Sequence, residues 1–162
     1  MRSFFLLALV LLSLVGCNHD PSYFYEYKAL NGNWKNTDTL SFQINVDDTL
    51  AVNNLFFHLR ATQKYPYNNI FLIAEFQFPK GKTIVDTLEY EMAYPDGYLM
   101  GSGGSIKESK LWYKQNVRFI EEGEYLIKLR HSTRNANEIE GDVVLTGIEE
   151  VGFSIEKISN DE

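Results

Sequence analysis

From Tyr23 onward the chain tends to alternate apolar and polar side chains one for one. Tyr23-Phe24-Tyr25-Glu26-Tyr27 places aromatic rings at every second position and predicts a first strand. Leu40, Phe42, Ile44 and Val46 alternate with Ser41, Gln43 and Asn45 before Asp47-Asp48 interrupts them. A side-chain period of two is that of a half-buried β-strand. Leu55, Phe57, Leu59 and Ala61 repeat the pattern, with His58 and Arg60 on the other side, and Pro66 closes the segment. Residues 69–78 are the most apolar part of the chain after the N-terminal segment. Leu72, Ala74, Phe76 and Phe78 lie on one side, Phe71 and Ile73 on the other until Glu75 and Gln77. That composition predicts a central strand partly covered on both faces. After Pro79-Lys80-Gly81-Lys82, the residues Ile84, Leu88, Tyr90 and Met92 share one face, so 71–78 and 83–92 read as a β-hairpin.

The second half continues in the same way. Pro95-Asp96-Gly97 is a turn signal, and Gly101-Ser102-Gly103-Gly104-Ser105 reads as a flexible loop. Leu111-Trp112-Tyr113 and Val117-Arg118-Phe119 suggest extended chain. Tyr125, Ile127, Leu129 and His131 alternate with Lys128 and Arg130. A polar loop follows over 134–141, and Val151, Phe153 and Ile155 form the last strand. Asn31-Gly32-Asn33-Trp34 is read as turn. No segment holds apolar residues at helical spacing over three turns. Short strands divided by turn signals predict an all-β fold, an antiparallel β-sandwich that is jelly-roll-like or Ig-like.

The first residues follow a different rule. Arg2 is the only charge before residue 17, and Phe4 to Val15 is apolar except for Ser13. A short positive stretch followed by an apolar run is a secretory signal. The run is shorter than the roughly 20 apolar residues of a membrane-spanning helix. Leu14-Val15-Gly16-Cys17 has the form of a lipobox, with small side chains before the cut and a thiol that takes up diacylglycerol. Cys17 is the one cysteine of the chain. The layout expected is therefore a lipoprotein signal peptide over 1–16, a lipidated cysteine with a short tether over 17–22, one sandwich domain over 23–158, and a frayed tail over 159–162. One acyl chain holds weakly and two or more hold firmly, at roughly 0.8 kcal/mol per buried methylene.

Composition narrows the function. Without residues 1–16 the chain has 146 of its 162 residues, a usual size for one domain. Loss of Arg2 leaves 14 of the 15 Lys and Arg against 22 Asp and Glu, a formal charge near −8. Such an acidic protein is a poor partner for nucleic acid or for electrostatic docking on anionic lipid. With Cys17 lipidated no thiol is left for a disulfide, so packing must supply the stability.

Candidate chemistry is sparse. His19 falls in the tether, and His58 and His131 fall on separate strands, with no partners at metal-ligand spacing. The glycine-rich segment at 101–105 lacks the Gly-Lys-Ser/Thr of a phosphate loop, and there is no Gly-x-Ser-x-Gly nucleophile elbow. Asp86, Glu89, Glu91 and Asp96 form an acidic group. Glu89 and Glu91 share a strand face and would suit a glycosidase pair or calcium, but a solvated strand face explains them. No catalytic residue, metal site or cofactor is expected, and no small-molecule substrate. Tyr23, Tyr25, Tyr27, Trp34, Tyr94, Tyr98, Trp112 and Tyr113 supply the material for a recognition surface. Trp112, Tyr113, Tyr94 and Tyr98 are the candidates for it, either as anchors for a protein partner, where Tyr and Trp are favoured, or as a glycan-stacking face.

Several motifs in one order resemble a known family. They are Tyr67-Asn68-Asn69-Ile70-Phe71-Leu72, the run Val85-Asp86-Thr87-Leu88-Glu89-Tyr90-Glu91-Met92-Ala93, and Pro95-Asp96-Gly97. Gly104-Ser105-Ile106-Lys107-Glu108, Lys110-Leu111-Trp112-Tyr113-Lys114 and Gly147-Ile148-Glu149-Glu150-Val151-Gly152-Phe153 follow. Together with the lipobox they resemble the gliding-motility lipoprotein GldH of Bacteroidota, over most of the chain beyond the signal. The resemblance implies a lipid-anchored envelope protein needed for gliding, in the same system as type IX secretion. It implies partnership with the membrane through lipid on Cys17 and with other envelope proteins, by contact rather than catalysis. It carries over no site residue except Cys17. With only Asp20 acidic in the tether, a periplasm-facing position is favoured, and inner and outer membrane stay open.

Overall fold

The computed structural model describes residues 22–134 and 141–158. The expected signal peptide, Cys17, the expected tether up to Pro21, most of the polar loop at 134–141 and the tail at 159–162 lie outside the described residues. Ten strands follow one another: β1 (Ser22–Ala29), β2 (Asn33–Lys35), β3 (Leu40–Val46), β4 (Asn53–Thr62), β5 (Asn69–Gln77), β6 (Thr83–Glu91), β7 (Ile106–Val117), β8 (Gly123–His131), β9 (Val144–Thr146) and β10 (Ile148–Lys157).

The pairing has a simple plan. β1 pairs with β10, β2 with β9, β3 with β8, β4 with β7 and β5 with β6, all antiparallel. The chain is thus one long ribbon, closed at its tip by the β5–β6 hairpin. Rolling that ribbon up adds two contacts, β10 against β4 and β8 against β5. The result is a front sheet in the order β1-β10-β4-β7 and a back sheet in the order β3-β8-β5-β6. This is the jelly-roll arrangement of two four-stranded sheets, which decides between the two sandwiches that periodicity allowed.

The ribbon must bend where it passes from the front sheet to the back, and the backbone marks that place. Asn31 and Gly32 both have positive φ, 53° and 81°, and Asn33 N–H donates to Leu30 C=O at 3.2 Å. Two successive left-handed residues closed in this way form a type I′ turn, for which Asn-Gly is the preferred pair. On the other strand Gly147 has φ 82°, and a Cβ there would lie 2.3 Å from Tyr65 N. The three-residue pair β2–β9 spans the corner between these bends. Trp34, on β2, is wholly buried, its Nε1–H donating to Asp38 C=O at 2.9 Å. The turn expected over 31–34 therefore ends at residue 32, and Trp34 belongs to the core rather than to a recognition surface.

The core follows the alternation. Phe42, Ile44 and Val46 of β3, Ile70, Leu72, Ala74 and Phe76 of β5, and Tyr125, Ile127 and Leu129 of β8 face inward from the back sheet. Leu55, Phe57 and Leu59 of β4 meet them with Val151, Phe153 and Ile155 of β10. His131 is buried with them, Nε2 3.0 Å from Trp34 C=O. β5 lies between β6 and β8, the central position its composition predicts. Two segments expected separately, at 111–113 and 117–119, are largely one strand, β7. The glycine-rich segment at 101–105 is a closed turn: Ser102 and Glu108 exchange two backbone hydrogen bonds, at 3.0 and 2.8 Å.

Candidate functional site

The central strands of the front sheet, β4 and β10, are buried on their outer sides as well as their inner ones. Phe56 and His58 expose 4% and 3% of their surface, and Ser154 none. Strand register shows what covers them. Tyr25 pairs with Ser154, Ser154 with Phe56, and Phe56 with Trp112, giving one row across the sheet. Tyr27, Gly152, His58 and Lys110 form the next row, and Glu150, Arg60 and Glu108 the third. Paired residues share a face, so three strips of side chains lie over the outer surface.

Large rings on the edge strands fold across the middle. Gly152 has no side chain, and a Cβ there would stand 2.8 Å from the Tyr27 ring, which occupies the space instead. The Tyr25 and Tyr27 rings flank the His58 imidazole, with centroids 5.3 and 5.8 Å away. His58 Nε2 lies 2.8 Å from Ser154 Oγ. Trp112 tilts onto Phe56 at 4.3 Å, and the Lys110 ammonium sits 4.1 Å from the Phe56 ring. Lys110 also donates to Glu156 at 2.6 Å.

The third row ties the layer together. Tyr25 OH donates to Tyr27 OH at 3.0 Å, and Tyr27 OH donates to Glu108 Oε1 at 2.8 Å. Arg60 Nε donates to Glu108 Oε2 at 2.8 Å and its Nη1 to Glu150 at 2.5 Å, while its guanidinium lies 4.1 Å from the Tyr27 ring centre. Burial pushes the Glu108 carboxyl upward, but hydrogen bonds from Arg60 and Tyr27 outweigh it and hold the group below the usual range. Burial, with hydrogen bonds from Tyr25 and to Glu108, pushes the Tyr27 hydroxyl up, so it stays a donor. Burial pulls His58 below the ordinary histidine value against the opposing pull of Glu108, whose Oε1 lies 3.4 Å from Nδ1. The imidazole is thus held neutral near pH 7.

The charged and titratable groups of this layer are paired with one another. Both carboxylates beside Arg60 are engaged by it, and the imidazole is roofed by rings. Tyr25 and Trp112 remain 49% exposed each, at opposite margins of a buried floor. Among the described residues no group of three His, Cys, Asp or Glu side chains could hold a metal ion.

The four candidate surface residues are placed in three different settings. Trp112 faces outward in the layer. Tyr113 turns the other way at a bulge opposite Leu55, packs on Phe57 at 4.7 Å and donates to Asp86 at 2.9 Å. Asp86 also accepts from Lys114 at 2.8 Å, so it faces inward, apart from Glu89 and Glu91 on the outer side of β6. Tyr94 and Tyr98, 53% and 69% exposed, close a turn at the β6–β7 connection, Tyr94 N–H donating to Tyr98 C=O at 2.9 Å. Trp112 lies six positions along β7 from Ile106, roughly 20 Å from that end of the sheet. Alternation sets His58 and Arg60 opposite the apolar face of a half-buried strand, and His58 is nonetheless buried. The adjacent apolar residues Leu55-Phe56-Phe57 were the available sign of a strand covered on both faces.

Comparison with known proteins adds the following. The family model described as GldH lipoprotein matches residues 22–155. The chain is 39% identical over 164 residues to a protein of Christiangramia forsetii named gliding motility lipoprotein GldH homolog, covering 99% of this chain and 100% of that one. It is 42% identical over 153 residues to the gliding motility lipoprotein GldH of Flavobacterium johnsoniae, covering 94% of each. Among solved structures, a family GH115 4-O-methyl-α-glucuronidase aligns at a TM-score of 0.39 and 9% identity, over 86% of this chain and 17% of that one. That likeness is too loose to carry an argument.

Proposed function

The chain belongs to the GldH lipoprotein family, and from that premise we propose that it serves gliding motility as a lipid-anchored envelope protein that binds other proteins through the outer face of its front sheet. In this reading Cys17 carries the lipid, the body faces the periplasm, and the partners belong to the gliding and type IX secretion machinery. The observation that carries it is the layer over β4 and β10: half-exposed Tyr25 and Trp112 margins around a dry floor of Phe56 and His58, with Arg60 fixed beside it. Exposed aromatic groups at the edge of a desolvated patch are what tight protein contacts use, and Trp, Tyr and Arg dominate their energetics. The engagement of Glu108 and Glu150 by Arg60 speaks for binding over catalysis.

The test is replacement of the chromosomal gene by the Tyr25→Ala, Trp112→Ala double variant. Cells should lose surface spreading, and cross-linking in intact cells should lose a specific partner, while the amount of membrane-bound protein stays the same. Unchanged spreading and unchanged cross-links would sink the proposal. Retention of the purified protein on a polysaccharide, abolished by the same substitutions, would transfer the face to glycan binding.

A further inference from the structure

One end of the sandwich combines the start of the first strand with exposed apolar loop tips. β1 begins there at Ser22, opposite Glu156; Lys157 faces Asn53, and Asn53 faces Val117. Val46 faces Gly123 and Gln77 faces Thr83. The loops 47–52, 78–82 and 118–122 therefore crowd the pole at which the first strand starts. Side chains join them: Lys157 Nζ lies 3.2 Å from Asp48 and Lys80 Nζ 3.8 Å from Glu121.

Two of these loops end in apolar tips that face solvent. Leu50 is 83% exposed and Ile120 69%. Neither tip is a loose strand of chain. The amides of Leu50 and Ala51 both donate to Asp48 Oδ1, at 3.0 and 3.1 Å. Ile120 sits between Phe119, 2% exposed, and Glu121, whose N–H donates to Tyr125 OH at 3.1 Å and whose C=O accepts from it at 3.0 Å. The three loops carry Lys80, Lys82 and Arg118 against Asp47, Asp48, Glu121 and Glu122, close to neutral in a chain of net charge −7. A near-neutral surface with fixed apolar points can enter the boundary between headgroups and acyl chains without a large charge penalty.

Chain length supplies the rest. Five residue steps separate Cys17 from Ser22, a reach of at most roughly 17 Å. Building on the lipidation of Cys17 proposed above, we propose that this pole is a second membrane contact: Leu50 and Ile120 dip into the interfacial layer of the bilayer that holds the lipid on Cys17. Three points of attachment then stand the sandwich on end. The outer face of the front sheet becomes perpendicular to the membrane, open to a partner approaching sideways. The turn with Tyr94 and Tyr98 points away from the lipid.

The test uses the full lipidated protein in phosphatidylethanolamine–phosphatidylglycerol vesicles. Leu50→Cys, Ile120→Cys, Tyr98→Cys and Ser41→Cys variants are each labelled with one small fluorophore, Cys17 being blocked by its lipid. A nitroxide carried on the shallow part of an acyl chain should quench the labels at 50 and 120 severalfold more than those at 98 and 41. Equal quenching at all four sites, in protein that floats with the vesicles, overturns the membrane contact while leaving the lipid anchor intact. Protein that stays off the vesicles, with a bare Cys17 by mass spectrometry, overturns both.

Discussion

The outer faces of the two sheets are made from the same kind of strand and end up in opposite states. On the back sheet Ser41, Gln43 and Asn45 of β3 and Thr83, Val85, Thr87, Glu89 and Glu91 of β6 are exposed, and the central β5 shows half-buried Phe71 and Ile73. Nothing large on its edge strands folds inward across the middle. On the front sheet the edge strands contribute Tyr25, Tyr27 and Trp112, and the central strands offer Gly152 and Ser154 as room for them. The contrast teaches that burial on an outer face depends less on the central strand than on the reach of its neighbours. A glycine opposite a tyrosine turns one face of a sheet into a second, thin core.

The sharpest way to break this comparison is to truncate a phenylalanine on each side. Phe56→Ala should cost about 3 kcal/mol, in the range for a buried phenylalanine, whereas Phe71→Ala, at a partly buried position, should cost about 1 kcal/mol. Thermal unfolding of the two variants would separate them, since a domain of this size shifts by about 2–4 °C per kcal/mol. Equal shifts would mean that the front face is no better packed than the back.

A smaller effect is expected from adding atoms. Gly152→Ala forces a Cβ against the Tyr27 ring, with an overpacking cost of about 1–2 kcal/mol, while Ser41→Ala on the exposed back face should stay within about 0.5 kcal/mol. Urea unfolding at pH 7.5 measures both. A neutral Gly152→Ala would show that Tyr27 moves aside freely and that the layer is not fixed.

The smallest expected effect is a dependence on pH. Burial lowers the folded-state value of His58, and of His131 in the core, below the ordinary 6.5. Below 6.5 the unfolded chain then takes up protons that the folded chain refuses, so stability falls as pH falls from 6.5 toward the folded-state values and is flat above it. Glu108 and Asp86, both held low, add losses only further down, in the carboxylate range. His58→Gln should flatten the slope between pH 6.5 and 5.5 without abolishing it, because His131 persists. An unaltered slope would place His58 in water rather than under its two tyrosines.

Much of the fold was legible beforehand, and the reasons are local. The alternation at 40–46 and 55–61, and the doubly apolar run at 69–78, gave β3, β4 and β5 to within a few residues, since a strand with one wet face must repeat every second residue. β2 and β9 were not legible. Each has three residues, and each exists because Trp34 pairs with Leu145 across more than a hundred positions. Of the four residues singled out for a recognition surface, the fold places Trp112 alone in the layer, together with Tyr25 and Tyr27 of the wider aromatic set. Tyr113 adjoins Trp112 in sequence, but neighbouring residues of a strand point to opposite faces, and the bulge at Leu55 then keeps both Tyr113 and Lys114 toward Asp86. The burial of His58 was not legible, because alternation tells which residues share a side and says nothing about what covers that side.

Alone, the order of residues pointed to a β-sandwich body, to an apolar N-terminal run that ends in a lipobox-like Leu14-Val15-Gly16-Cys17, and to motifs distinctive enough to indicate one family. These are properties of neighbours along the chain: side-chain period, turn chemistry, and a run of apolar residues ending in Gly16-Cys17. Which sandwich it is, which face is dry, and which loops gather at the pole beside Ser22 were decided by the rolling of the ribbon. Those outcomes rest on contacts between residues far apart in sequence, where the shape left empty at Gly152 matters as much as the ring that fills it.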